Sequence, residues 1–256
     1  MIIDTHTHYN DEAFDLDRDE IIKKLYEQGI EKAVNIGTNL KTTLECIELA
    51  EKYGGIYASA GIHPSYAAEA SAEVLDKIKK ICENKKVLAI GEIGLDYHWE
   101  DSEKELQKEV FKKQLELAAE VSLPVVIHSR DAAQDTFDIL KESKVVKIGG
   151  VMHCYSYGVE LAREYLKLGM FFGIGGVATF KNARKLKEVI EYLPIEAIVL
   201  ETDCPYLAPE PFRGKRNSSL YLKYVAAAIA DIKGVSMEYI IKQTNENAYA
   251  LYKRLK

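Results

Sequence analysis

The chain has 256 residues, 47% of them hydrophobic, and a formal net charge of −6. Its length and apolar fraction suffice to bury the core of one large domain spanning residues 1–256, and ordinary Gly, Pro and charge contents exclude a low-complexity chain. The acidic balance excludes a protein that coats nucleic acid through many Lys and Arg contacts, so an anionic substrate must be gripped at a local site. In chain order, short apolar runs rich in Val, Ile and Gly predict strands at Ile2–Thr5, Lys32–Ile36, Ile56–Gly61, Val87–Gly91, Pro124–Ile127, Gly149–Met152, Met170–Ile174 and Ala197–Glu201. Segments of helical period between and after them predict helices at Arg18–Gln28, Thr42–Lys52, Glu73–Glu83, Ser102–Ser122, Ala132–Lys141, Gly158–Leu168, Ala183–Tyr192, Leu220–Asp231 and Met237–Lys253. Ser102 with Glu105 three residues on reads as a capping box. Alternation of strand and helix over about 250 residues is the rhythm of a single (β/α)8 TIM barrel, with an open doubly wound sheet as the alternative.

In such a barrel the chemistry sits where strands end. Five of the six histidines fall there, all but His98. His6 and His8 end the first strand, two residues apart and so on one face. His63 follows the third strand, Glu92 the fourth, His128 the fifth, His153 the sixth and Asp203 the eighth. Four imidazoles, of His6, His8, His128 and His153, with the carboxylates of Glu92 and Asp203 are enough to hold two adjacent divalent ions if one carboxylate bridges them, and Glu92 is central among the strands. A shell of imidazole and carboxylate suits Mg, Mn, Zn or Fe, leaves positions for water and remains cationic, which favours an anionic substrate. Asp4 and Glu201, two residues before ligand candidates, are placed to orient imidazoles from behind.

Cys46, Cys82, Cys154 and Cys204 lack paired spacing and read as reduced, buried thiols. No apolar run approaches a membrane span, and Met1 leads straight into a strand pattern, so the expected location is the cytoplasm, with no membrane or stable protein partner. On the substrate side, Arg130 and the patch Phe212-Arg213-Gly214-Lys215-Arg216 offer phosphate contacts through Arg130, Arg213 and Arg216. Tyr97, Trp99, Tyr206 and Phe212 offer rings for stacking bases.

The blocks Asp4-Thr5-His6-Thr7-His8, Gly61-Ile62-His63-Pro64, Gly91-Glu92-Ile93-Gly94-Leu95-Asp96-Tyr97, Ile127-His128-Ser129-Arg130, Met152-His153-Cys154 and Glu201-Thr202-Asp203 with Pro205-Tyr206-Leu207 resemble the signatures of TatD-type metal-dependent deoxyribonucleases. The resemblance runs through the whole chain and implies an amidohydrolase-like TIM barrel. It implies one metal on His6, His8, Glu92 and Asp203, and a second on Glu92, His128 and His153. The implied activity is hydrolysis of DNA, as a 3′-to-5′ exonuclease on single-stranded ends, with a water activated by two metals, Asp203 as proton acceptor, Glu92 as bridge and His63 beside the scissile phosphate. Cys204 in place of Ser, Tyr155-Ser156-Tyr157 in place of Phe-Ser-Gly, and Ser218-Ser219 in place of Glu-Pro depart from the family's pattern without removing a ligand. The same donors suit a carboxylic ester or amide hydrolase, including an aminoacyl-tRNA deacylase. A protein that binds nucleic acid without turnover is a further alternative.

Overall fold

The computed structural model describes residues 1–99 and 103–255. Eight parallel strands run in sequential order around a nearly closed barrel: β1 (Ile2–Thr7), β2 (Ile30–Asn35), β3 (Ile56–Ala60), β4 (Val87–Asp96), β5 (Val125–Arg130), β6 (Gly150–Met152), β7 (Phe171–Ile174) and β8 (Ile198–Leu200). The ring is completed beyond β8, where Cys204 bridges Thr7 in parallel and the Asp203 N–H donates to the His6 carbonyl at 3.0 Å. The open doubly wound sheet is thereby ruled out. The connecting helices are α1 (Arg18–Glu27), α2 (Leu40–Lys52), α3 (Ala72–Ile81), α4 (Lys104–Val121), α5 (Ala133–Glu142), α6 (Val159–Lys167), α7 (Arg184–Tyr192), α8 (Leu222–Lys233) and α9 (Met237–Leu251). No helix among the described residues is long and apolar enough to cross a membrane.

Most boundaries fall within a few residues of the sequence reading, with three informative differences. Ser102, the expected cap, lies outside the described residues, and α4 starts at Lys104 behind Glu103, which makes no side-chain capping bond. Strands β4 and β5 run on to Asp96 and Arg130, so Glu92 and His128 lie within strands rather than at their ends. β8 stops at Leu200, which leaves Asp203 on the following loop.

Two apolar clusters hold the barrel. One lies between strands and helices; the other joins Ile3, Val34, Tyr57, Leu88, Val126, Val151 and Val199 to Leu251, Tyr252 and Leu255. The second is the barrel floor, closed from below by the segment that ends α9. Asn245 accepts from the Ile3 N–H at 3.0 Å, and the Tyr252 hydroxyl donates to the Thr5 carbonyl at 3.2 Å. β1 therefore has a sealed apolar beginning and a polar end. Between them its register against β2 slips: Asp4 to Thr7 spans three residues where Ala33 to Asn35 spans two. The same slip occurs in β4, where Ile90 to Ile93 opposes Val125 to Ile127. An extra residue of this kind re-aims the side chains beside it, and the two slips fall at His6 and Glu92.

Candidate metal centre

At the C-terminal mouth of the barrel the six sequence-predicted ligands meet. His6 Nε2 lies 3.2 Å from His8 Nε2 and 3.6 Å from Asp203 Oδ1, and His8 Nε2 lies 3.3 Å from the same oxygen. Two ligands each about 2.0–2.1 Å from one tetrahedral ion stand about 3.4 Å apart, so this triangle has the edges of a coordination shell. The Glu92 carboxylate reaches His6 Nε2 at 3.5 Å, His128 Nδ1 at 2.8 Å, His153 Nε2 at 3.8 Å and His63 Nε2 at 3.9 Å. Three groups have donor atoms within 4.8 Å of one another: His6, His8 and Asp203; His6, His153 and Glu201; His63, Glu92 and His128. Nitrogen and oxygen donors at these spacings, without a thiolate, fit divalent ions.

Contacts behind three of the imidazoles set which nitrogen faces the centre. His8 Nδ1 is 3.1 Å from the Ile36 carbonyl, His128 Nε2 is 3.1 Å from Asp96 Oδ2, and His153 Nδ1 is 2.9 Å from Glu201 Oε1. His6 Nδ1 is buried without a hydrogen-bond partner, its ring stacked on His153 at 3.5 Å between centroids. Asp4, expected behind an imidazole, instead accepts from the His6 and Thr202 backbone N–H groups and from the hydroxyls of Thr202 (2.7 Å) and Ser219 (2.6 Å). It ties β1 to the loop that carries Asp203. Burial pushes its carboxyl up to about 7 against those donors.

Asp96 is a residue of the cluster that the sequence analysis left without a role. It stands four residues after Glu92 on the same strand, with Gly94 between them, and contacts the opposite nitrogen of the same imidazole. Gly94 has φ +142°, and a Cβ there would meet the His128 carbonyl oxygen at 1.9 Å. Only glycine lets β5 lie this close. Gln107 of α4 fixes the Asp96 backbone through both its N–H and its carbonyl. The signal was present as alternate polar positions, but the predicted strand stopped at Gly91, which left Asp96 beyond it.

Charge is finely set here. Burial opposes ionisation of Glu92, yet the field of His153 and contacts with His128 and His6 hold it well below the usual carboxylate range. Asp203 is likewise lowered, by His8, His153 and His6 against burial. Burial works against a charged His128 and His153, but flanking carboxylates raise them to about 9 and about 10. His63 goes the other way, pushed by burial down to about 4 despite Glu92. Its Nδ1 accepts from the Ser65 N–H at 3.1 Å, so the neutral ring carries its proton on Nε2, towards Glu92.

The mouth opens into a cleft of about 680 Å³ lined by His8, His63, Glu92, His128, His153 and Asp203, with Tyr66 and Tyr206 on its wall. The three expected arginines are absent from that lining. Arg130 is exposed, its guanidinium 6.0 Å from the Trp99 ring centre; Arg213 lies over Phe180 at 4.3 Å; Arg216 pairs with both oxygens of Asp17 and donates to the Ala13 carbonyl. Of the expected stacking rings, Phe212 is stacked on Tyr221 and the Tyr97 hydroxyl is bound to Asp135, while Trp99 and Tyr206 are exposed. Exposed His98 pairs with Asp131. Cys204 is buried, its thiol pushed up to about 12 by burial.

A family model described as TatD related DNase matches residues 3–253. The chain belongs to the TatD related DNase family. Within that family it is 46% identical over 253 residues to the Bacillus subtilis protein named uncharacterized metal-dependent hydrolase YabD, covering 99% of each chain. It is 33% identical over 257 residues to the Klebsiella pneumoniae protein named 3′-5′ ssDNA/RNA exonuclease TatD, covering 98% of this chain and 97% of the relative. The crystal structure of YjjV, a TatD homologue from Escherichia coli, matches with a TM-score of 0.93 at 30% identity over 98% of both chains. The protein is thus a TatD-family hydrolase on a TIM barrel, as the resemblance of its sequence blocks implied.

Proposed function

We propose that the protein is a divalent-metal-dependent phosphodiesterase that removes nucleotides from the 3′ ends of single-stranded DNA. The observation that carries this reading is the position of Glu92, one buried carboxylate within 3.9 Å of His6, His63, His128 and His153. His6, His8 and Asp203 would hold one ion, His128 and His153 a second, and Glu92 would bridge them. Ions held there would supply a polarised water and positive charge against the phosphate oxygens. Asp203, kept ionised by its imidazole neighbours, takes the proton of the attacking water. His63, neutral with its proton on Nε2, donates a hydrogen bond to a phosphate oxygen where a charged ring would pair with Glu92 instead. Asp11, Glu12, Asp15 and Glu45 line one side of the cleft, where Lys41 is the one lysine or arginine among the described lining residues. A polyanion running on across that side would be repelled, which supports action at a strand end. The name of the Klebsiella pneumoniae relative agrees with this polarity and extends the substrate to RNA.

The test uses metal-stripped protein restored separately with Mg, Mn or Zn and a single-stranded DNA labelled at its 5′ end. A metal-dependent ladder that shortens from the 3′ end is expected. Intact DNA under every metal, from protein shown to have rebound its ions, would sink the nuclease reading in favour of ester or amide hydrolysis.

A further inference from the structure

Beside the cleft lies a second cavity that this chemistry leaves unused. It encloses about 190 Å³ between the ends of β6, β7 and β8 and the start of α7. Cys154, Val177, Ala183, Leu186 and Leu207 give it a mainly apolar lining, in which Lys185 is the one cation among the described residues. Asp203 lines both this cavity and the cleft, so the two meet at the residue assigned to the attacking water. A second observation is independent of size. Five described residues other than glycine have left-handed φ, and three of them stand around this cavity: Cys154 (44°), Asp203 (57°) and Leu207 (55°). L side chains disfavour that conformation, and it persists where the surrounding structure demands it, clustering at active sites, ligand clamps and switch regions.

We propose that this cavity receives the nucleobase of the nucleotide being removed. The proposal rests on the nuclease reading and names what that reading leaves open, the element that registers the strand end. A flat ring seated against Val177, Ala183 and Leu186 is held by contact with its faces, which every base offers, so binding tolerates any sequence. The sugar attached to that base emerges past Asp203, which brings its phosphodiester over the ligand cluster. Lys185 lies where it would meet the charged backbone leaving the cavity. A space for one base, next to a cleft that Asp11, Glu12, Asp15 and Glu45 also line, accommodates a chain terminus and disfavours a continuous strand.

The test compares two single-stranded DNA oligonucleotides of one sequence, one with an ordinary 3′-terminal nucleotide and one with a 3′-terminal abasic residue. Wild-type, ion-loaded protein should release the ordinary terminus with kcat/KM about tenfold higher, the contribution of one seated base. Ala183→Trp fills the cavity and should bring that ratio close to one, with folding checked by its melting temperature. A ratio close to one in the wild type overturns the proposal and leaves the nuclease reading standing, without recourse to any variant. A second measurement needs no turnover. Cys46, Cys82 and Cys204 are buried while Cys154 is half-buried, against the sequence expectation, and lines the cavity with its thiol pushed well up by burial, Asp203, Glu201 and Glu92, so its slow alkylation at alkaline pH, read at that residue by mass spectrometry, reports on the cavity. Thymidine 5′-monophosphate at about twice its Kd should slow that alkylation about threefold by occupancy, whereas deoxyribose 5-phosphate should not. Protection without hydrolysis of either oligonucleotide supports the cavity and removes the nuclease reading; equal labelling with both compounds overturns the cavity proposal.

Discussion

The two mouths of the barrel are built from the same strands by opposite rules. At the floor, Ile3, Val34, Val126 and Val199 meet Leu251, Tyr252 and Leu255, and the polar groups that enter, Asn245 and the Tyr252 hydroxyl, are each bound to β1. At the other mouth His6, the same strand's contribution, is buried with one ring nitrogen unpartnered, among like imidazoles and carboxylates. The register slips in β1 and β4 let one strand serve both ends, since each changes which face the following residues present.

Breaking each mouth separately should separate activity from stability. Glu92→Ala is expected to lose roughly 10³-fold or more in hydrolytic rate, the scale of removing a principal electrostatic group, and its ion content by elemental analysis should fall with it. Leu251→Ala at the floor should cost about 3 kcal/mol of stability in denaturant titration while KM and ion content below the melting range stay as in the wild type. Asp96→Asn sharpens the comparison, because it leaves every proposed ligand in place. Loss of a carboxylate behind a ligating imidazole should lower ion affinity or activity about 10–100-fold, whereas a purely structural role would lower the melting temperature and leave affinity unchanged.

The effect of pH follows from His128 and His153. Their pKa values, raised to about 9 and about 10 in the ion-free protein by flanking carboxylates against burial, lie above the ordinary imidazole value of 6.5. The stabilisation from these pairs is fully present below 6.5 and is lost as pH rises through about 9 to 10. Ions must displace the same protons, so apparent ion affinity should rise with pH, by up to about tenfold per pH unit for each proton released. Calorimetric titrations across pH 6 to 8, in buffers of different ionisation enthalpy, count those protons; an affinity flat in pH would remove the assignment of these two imidazoles. The smallest effect is expected from Arg216→Ala. With its guanidinium committed to Asp17, the half-exposed pair contributes about 1 kcal/mol or less, and the Kd for single-stranded DNA should move little.

The fold was legible because hydrophobic runs and helical periods alternate eight times, and the clustering of the candidate ligands was legible because histidines gather at predicted strand ends instead of scattering over helices. Glu92 was found for a partly mistaken reason. Its strand continues to Asp96, past Gly91 where the predicted strand ended, and Gly91 and Gly94 are the points of close approach to β5; a Cβ on Gly91 would lie 2.5 Å from that of Val126. Asp96 was missed with it. Arg216 was offered as a phosphate contact because a run of positive charge carries no sign of which carboxylate faces it; Asp17 is 199 residues away. The side cavity was not legible as a cavity, since its lining comes from four separate loops and strand ends, and the motif residues Cys154, Asp203 and Leu207 carry no sign in sequence that they enclose a space with Val177, Ala183 and Leu186.

The closure of the floor also orders events during synthesis. The Ile3 and Thr5 backbone groups at the start of the chain are held by Asn245 and Tyr252, so a nascent barrel emerging from the ribosome has its first strand and most of its ligands long before the segment that seals it. Until residues 245–252 emerge, the apolar interior at Val34, Val126 and Val199 is open from below, and that is the interval in which the unfinished protein most needs protection from aggregation.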